Sequence, residues 1–323
     1  MIKIDVYDKK ILEILINNSR TQVTTIAKKV RLKRETVTYK INRLIKEDLI
    51  KEFNAVLNEK KFGLSHYAVF LELANLQEET EREILKNLKE NKNLCWIGTS
   101  AGKWSLTFDL IIKEDKELNN TMDELLTKFR KNIGDFVILR LQEGNYFSSK
   151  LIGMNKKIKI EEIKEEKAKI DEIDKKILSI INRNSRVSLV EISEKVKLTP
   201  NGINNRIKAL EKNKIILSYT ISLDWKKLGY EWYGIQLQLT KFGEEINKKL
   251  IEYFTNHKSI IFYYKYLGGA WDYDFGVLVK NSIELREFIH EFRKNFSDCS
   301  KISDVFITLE ETSGYKLPRG VFE

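Results

Sequence analysis

The chain has 323 residues, 42% of them apolar and only two of them proline, which is too long for one ordinary compact domain and excludes a disordered or fibrous class. Its net charge of +10 is uneven: residues 1–60 hold 14 Lys/Arg against 8 Asp/Glu, and residues 167–226 hold 13 against 7, so the basic excess falls in two segments and favours a polyanionic partner, nucleic acid before an anionic membrane. Cys95 and Cys299 are too few and too far apart for a disulfide framework, and neither a secretory h-region nor an uncharged apolar run of about 18 residues is present, so a cytoplasmic protein off the membrane is expected.

The first segment, Ile4 to Arg20, reads IDVYDKKILEILINNSR, and Ile170 to Arg186 reads IDEIDKKILSIINRNSR. The two copies align without a gap through Gly63 and Gly229. Each opens with a helix: Asp5 or Asp171 is the N-cap, Asp8 or Asp174 stands three residues on, and Ile11, Leu12, Ile14 and Leu15 (Ile177, Leu178, Ile180 and Ile181) form the buried face. A second, short helix follows, opened in the later copy by the capping box Ser188-Leu-Val-Glu191, with Val23, Ile26, Ala27 and Val30 or Leu189, Ile192, Ser193 and Val196 facing inward. After a tight connection comes a third helix, capped in the later copy by Thr199 with Pro200 at its first position. Val37, Ile41 and Leu44, or Ile203, Ile207 and Leu210, point inward from it, and a short apolar strand ends each module.

Three short helices with a tight turn before the third, then a strand, predict a winged helix-turn-helix. The outward face of the third helix offers Arg34, Thr36, Thr38, Tyr39, Lys40 and Arg43 in the first copy, and Thr199, Asn201, Asn204, Asn205 and Arg206 in the second. Arginine suits guanine edges and phosphates, asparagine pairs bidentately with adenine, and small hydroxyls reach phosphates or bases, so these residues are the candidate contacts to double-stranded DNA.

Behind each module the period changes. Residues 66–74 alternate as a strand, 78–91 read as a helix, LCWIGTSA and KWSLTFDLIIK as two strands, 115–131 as a helix and DFVILRLQE as a closing strand. YEWYGIQLQL, helix 244–257, IIFYYKYLG, WDYDFGVLV, helix 282–296 and SDVFITLEE repeat that order. A βαββαβ order predicts a ferredoxin-like antiparallel sheet with both helices on one face. The fold class expected is therefore α+β, in two tandem units: helix-turn-helix at 1–60, ferredoxin-like domain at 61–147, linker at 148–169, helix-turn-helix at 170–226 and ferredoxin-like domain at 227–323. The linker, SSKLIGMNKKIKIEEIKEEKAK, fits either a short helix or a flexible tether.

On the opening IDxxDxxIL, the NSR after the first helix, the third-helix segments VTYKINRLIKEDLI and INNRIKALEKNKII, and the domain behind them, the chain resembles the Lrp/AsnC (feast/famine) family of transcription regulators, twice over. That resemblance implies self-association through the ferredoxin-like domains and, for a tandem chain, a covalent pseudo-dimer. It also implies a small effector, typically an amino acid, bound near a Gly-x-aromatic-Asp element. The second copy carries that element as Gly269-Ala270-Trp271-Asp272, with Asp274 beyond it, so Gly269, Trp271, Asp272 and Asp274 are the candidate effector residues. The first copy has Gly102-Lys103-Trp104-Ser105, whose serine would leave an effector ammonium without its charge partner. Arg31 and Lys197 occupy the turn position where the family commonly has glycine.

Two rival expectations remain. Siroheme decarboxylases resemble the same architecture, but His66, His257 and His290 make no paired ligand spacing, so no catalytic residue, metal or cofactor is expected. The other rival is a protein-interaction module that has lost DNA binding.

Overall fold

In the computed structural model, the structure describes residues 2–75, 77–147, 150, 152, 169–311 and 316–323. The expected linker at 148–169 lies, apart from Lys150, Ile152 and Lys169, outside the described residues. The chain divides into two compact units, and each takes segments from both copies of the repeat: Met1–Leu64, Glu161–Leu228 and Ser313–Glu323 in one, Ser65–Ile160 and Gly229–Thr312 in the other.

The first unit pairs the two helical modules. The first copy gives α1 (Val6–Asn17), α2 (Val23–Val30), α3 (Arg34–Lys46) and strand β1 (Ile50–Leu57). The second gives α6 (Glu172–Arg183), α7 (Leu189–Val196), α8 (Pro200–Lys212) and β6 (Ile216–Leu223). Their starts are set by the expected caps: Asp5 accepts from the Asp8 amide, Asp171 from the Asp174 amide, Ser188 from the Glu191 amide and Thr199 from the Gly202 amide. Ile11, Leu12, Leu15, Ile177, Leu178 and Ile181 are wholly buried, each worth about 1.5–3 kcal/mol. Ile14 and Ile180 are only half-buried; Ile16 and Asn182 take the inward positions instead. Between the second and third helices Arg31 (φ 59°) and Lys197 (φ 59°) are left-handed, in the place that suits glycine.

β1 finds its partner in the other copy. It pairs antiparallel with β6, Asn54 opposite Thr220, Phe53 opposite Ile221 and Ala55 opposite Tyr219. Asn54 and Thr220 are equivalent positions, so a local two-fold passes between them. The same axis passes through the Ser19–Ser185 hydroxyl pair at 2.6 Å. Around it the contacts are reciprocal: Arg20 donates to the Ser185 carbonyl and Arg186 to the Ser19 carbonyl, both at 2.5 Å. Arg20 also lies over the Tyr219 ring and Arg186 over Phe53, at 5.5 and 5.4 Å. Such an arrangement is isologous, as in a two-fold dimer, but within one chain. One feature breaks it. Buried Asn182, where the first copy has Ile16, exchanges two hydrogen bonds with Leu317, and Lys316 pairs with Glu52. Residues 316–323, expected with the second ferredoxin-like domain, thus pack on the helical modules.

The second unit is the sheet. Copy one supplies β2 (Ser65–Leu73), α4 (Glu78–Glu90), β3 (Leu94–Ala101), β4 (Leu106–Ile112), α5 (Asp115–Phe129) and β5 (Ile133–Tyr146). Copy two supplies β7 (Glu231–Leu239), α9 (Glu244–Asn256), β8 (Ile260–Leu267), β9 (Tyr273–Val279), α10 (Ser282–Phe296) and β10 (Ser300–Glu311). Each half has the expected βαββαβ order, but the two four-stranded sheets do not stay separate: β5 pairs with β8 and β10 with β3, closing an eight-stranded barrel. Alternation along the strands sends one set of side chains towards the helices, as two apolar cores around Phe108 and Phe275. The other set fills the barrel, where Phe70, Trp104, Trp271, Tyr266 and Phe306 cluster.

Candidate nucleic-acid interface

The site is built on α3 and α8. Each lies across its first helix, and the residues that fix that crossing are the basic ones expected on the outer face. Asp8 is fully buried and accepts from Arg43 at 2.5 Å and Lys40 at 3.1 Å, while Lys40 also reaches Asp5 at 2.6 Å. In the second copy Arg206, equivalent to Lys40, bridges Asp171 and Asp174 at 2.8 Å each. Desolvation alone would lower the Lys40 proton affinity, but its hydrogen bonds to Asp5 and Asp8 outweigh it and leave the ammonium more basic than usual. The hydrogen bond from Lys40 holds Asp5 below the ordinary carboxylate range, and the Asp174 amide, then Arg206, do the same for Asp171. Lys40, Arg43 and Arg206, expected among the DNA contacts, are thus ion-paired with the capping aspartates of the first helix and stand half-buried.

The exposed face is the remainder. In α3 it is Arg34, Glu35, Thr36, Thr38, Tyr39 and Asn42; Arg34, Glu35, Thr38, Tyr39 and Asn42 line a shallow surface hollow, and Tyr39 is 68% exposed. Thr38 donates to the Arg34 carbonyl at 3.0 Å, which leaves its hydroxyl able to accept. In α8 the face is Asn201, Asn205 and Lys208, with Asn204 half-buried beside them. Thr199 remains exposed, but its oxygen already accepts from the Gly202 amide at 3.1 Å. Glu35, Asn42 and Lys208 were missed by residue type alone, although i, i+3, i+4, i+7 spacing from Glu35 and from Asn201 points to them. The stripe Glu35, Thr38, Tyr39, Asn42 is equivalent to Asn201, Asn204, Asn205, Lys208. The two helices thus offer unlike sets of donors and acceptors in the same geometry. Arg31, Lys33, Lys46 and Lys197 are exposed around them.

The expected effector residues differ in exposure: Trp271 and Asp274 are buried, Asp272 is half-buried and Gly269 is exposed. Trp271 is 4% exposed and packs edge-on against Phe70 at 4.9 Å, inside the barrel. Gly269 has φ 126° and sits where an added Cβ would meet Leu139 at 2.1 Å. Asp272 accepts from the Leu239 amide at 2.7 Å. Its equivalent, Ser105, accepts from the equivalent Leu73 amide at 3.2 Å, and both residues donate their own amides to the preceding strand, Asp272 to Leu237 and Ser105 to Leu71, at 2.9 Å. Serine and aspartate therefore do one structural job in the two copies. Asp274 lies in the barrel, where burial and then the charge of Asp109 push its carboxyl well above the usual range.

With this geometry in view, known proteins give the context. A family described as winged helix-turn-helix DNA-binding matches residues 4–51 and again 170–216. The HTH-type transcriptional regulator FL11 of Pyrococcus furiosus is 35% identical over 124 residues, 37% of this chain and 78% of its own length. LrpB of Bacillus subtilis is 43% identical over 63 residues, 20% of this chain and 42% of its own. The chain belongs to the Lrp/AsnC family. Within that family it is a tandem duplication, carrying two helix-turn-helix modules and two ferredoxin-like halves. The Lrp/AsnC chain also shares its fold with the siroheme decarboxylase NirDL: TM-score 0.65 at 13% identity, across 97% of this chain and 93% of that one. That likeness shows architecture alone. Among the described residues no helix is long and apolar enough to cross a membrane.

Proposed function

We propose that the chain is a sequence-specific DNA-binding transcription regulator that acts as a covalent pseudo-dimer. The observation that carries this is the reciprocal clasp of its two helix-turn-helix modules about the Ser19–Ser185 axis, with α3 and α8 exposing unlike polar stripes. A two-fold pair of recognition helices suits two successive major grooves, about 34 Å apart, and basic residues around the helices fix the register on phosphates. Because the stripes differ, the favoured operator has two unlike half-sites rather than a palindrome. The names of the relatives, transcriptional regulators of the helix-turn-helix type, support the same reading. What single-unit proteins gain by dimerising is achieved here inside one chain, since β5–β8 and β10–β3 pairing uses the sheet edges internally. In this reading an amino-acid effector would share the Asp272 carboxylate with the Leu239 amide, which already donates to its Oδ2.

The test is binding to duplex DNA over a salt series. Arg34→Ala should flatten the slope of log affinity against log salt by about one phosphate contact. Arg43→Ala should leave that slope unchanged while lowering stability. A slope altered by Arg43→Ala and indifferent to Arg34→Ala would reject the assignment of the face.

A further inference from the structure

The barrel interior holds a polar group that DNA reading does not use. His66 on β2, Cys95 on β3 and Asp109 on β4 come from three strands, and one donor atom from each lies within 4.8 Å of the other two. We infer that this cluster is a site for a divalent transition metal ion of the zinc class, bound by His66, Cys95 and Asp109. The inference is independent of DNA binding.

Geometry comes first. His66 Nε2 and Asp109 Oδ2 are 3.3 Å apart. Two ligands each about 2.0–2.1 Å from a tetrahedral ion stand about 3.3 Å from one another, so this pair is already spaced for a shared metal. The sulfur is brought in by an irregularity. Leu94 pairs with Leu110 and Trp96 with Asp109, so Cys95 is the extra residue of a bulge in β3. The second copy repeats the bulge at Ile261, so the bulge belongs to the fold and the thiol it carries belongs to the first copy. His66 and Asp109 are 9% and 6% exposed, while Cys95 is half-buried, which leaves an approach for an ion.

The surroundings point the same way. Asp274 Oδ1 is buried without a hydrogen-bond partner. Thr107 Oγ1, two residues before Asp109 on the same face of β4, is likewise unpartnered. Buried oxygens left without a partner are met in native interiors by ordered water or an ion.

The second copy supplies the control. Its equivalents of His66, Cys95 and Asp109 are Trp232, Ile261 and Gly276: Ala68 pairs with Asp109 as Gly234 pairs with Gly276. There the space is filled by rings, since a Cβ on Gly276 would meet Phe262 at 2.1 Å. The fold thus closes this level of the barrel with apolar groups when it has no use for ligands. Sulfur, imidazole nitrogen and carboxylate together match tetrahedral Zn²⁺ or Co²⁺ better than Mg²⁺ or Ca²⁺. Binding would replace the Cys95 thiol proton, released to solvent, with a metal–sulfur bond.

The experiment uses the full chain, stripped with a chelator and titrated with Co²⁺. One equivalent should produce a thiolate-to-cobalt charge-transfer band with strong tetrahedral visible bands, and Zn²⁺ should displace both. Cys95→Ser, close in volume, and Asp109→Asn should each weaken binding by roughly 100-fold or more, while Cys299→Ser should bind as the parent does. The parent's thermal midpoint should also rise on adding Zn²⁺, a readout that needs no variant. Absence of the band and of the thermal shift in the parent overturns the site, as does a band that survives Cys95→Ser or disappears in Cys299→Ser.

Discussion

Asp8 shows how one residue can hold two jobs. As an N3 carboxylate it completes the capping box of α1, its Oδ2 accepting from the Asp5 amide at 2.9 Å; buried, it also binds Arg43 and Lys40 from α3. Removing it strands two cations at a helix crossing, so Asp8→Ala should cost about 3–5 kcal/mol of helix-turn-helix stability, read as a lowered urea midpoint at unchanged slope. A loss under about 1 kcal/mol would mean solvent already satisfies those cations. The same network sets an acid limit. Asp5 and Asp171 titrate below their ordinary value of 3.8 in the folded protein. A depressed folded pKa gives stability that is present above the unfolded value and is lost as pH falls through the folded one. The urea midpoint should therefore hold from pH 7 to about 5 and decline below about 4, and Asp5→Asn with Asp171→Asn should flatten that decline. In the sheet, Asp272→Ser should be tolerated, because Ser105 already does that work in the first copy, whereas Asp272→Ala orphans the Leu239 amide and should cost about 1–3 kcal/mol.

At the scale of elements, what is local was legible and what is distant was not. Caps, turn positions and inward faces are written within a few residues, so Asp5, Ser188, Thr199 and Pro200 announce their helices and the βαββαβ order follows from period alone. The ion pairs of the α3 face were not legible because helical spacing tells which residues share a side, not what lies opposite. Lys40 and Arg43 point at Asp8, over 30 residues away, and charge type alone suggested phosphate. The β1–β6 ribbon and the closed barrel join strands from different copies, and nothing in either copy's own pattern reports that pairing. The metal cluster escaped for the same reason: 66, 95 and 109 have no ligand spacing, and a bulge supplies the third donor. One prediction belongs to the turn. Arg31 and Lys197 carry side chains in a left-handed conformation, so Lys197→Gly should raise the thermal midpoint by an amount equivalent to about 0.5–1 kcal/mol; a lowered midpoint would show that the lysine side chain contributes more than its backbone strain costs.

At the scale of the whole molecule, each unit joins equivalent elements from the two copies and leaves them free to differ. The axis through Ser19–Ser185 and Asn54–Thr220 keeps the clasp symmetric, while α3 and α8 present different chemistry, the first-copy barrel strands carry the His66, Cys95, Asp109 cluster, and the second copy's tail bonds Asn182. The measurement that tests this most directly is selection of bound duplexes from a random DNA library at about 0.15 M salt, followed by a salt series on the winning sequence. The expected result is one motif of two unlike half-sites with centres about 10 base pairs apart, of which Tyr39→Ala relaxes one half and Asn205→Ala the other. A palindromic motif, tight binding with no motif, or no binding at all would contradict it.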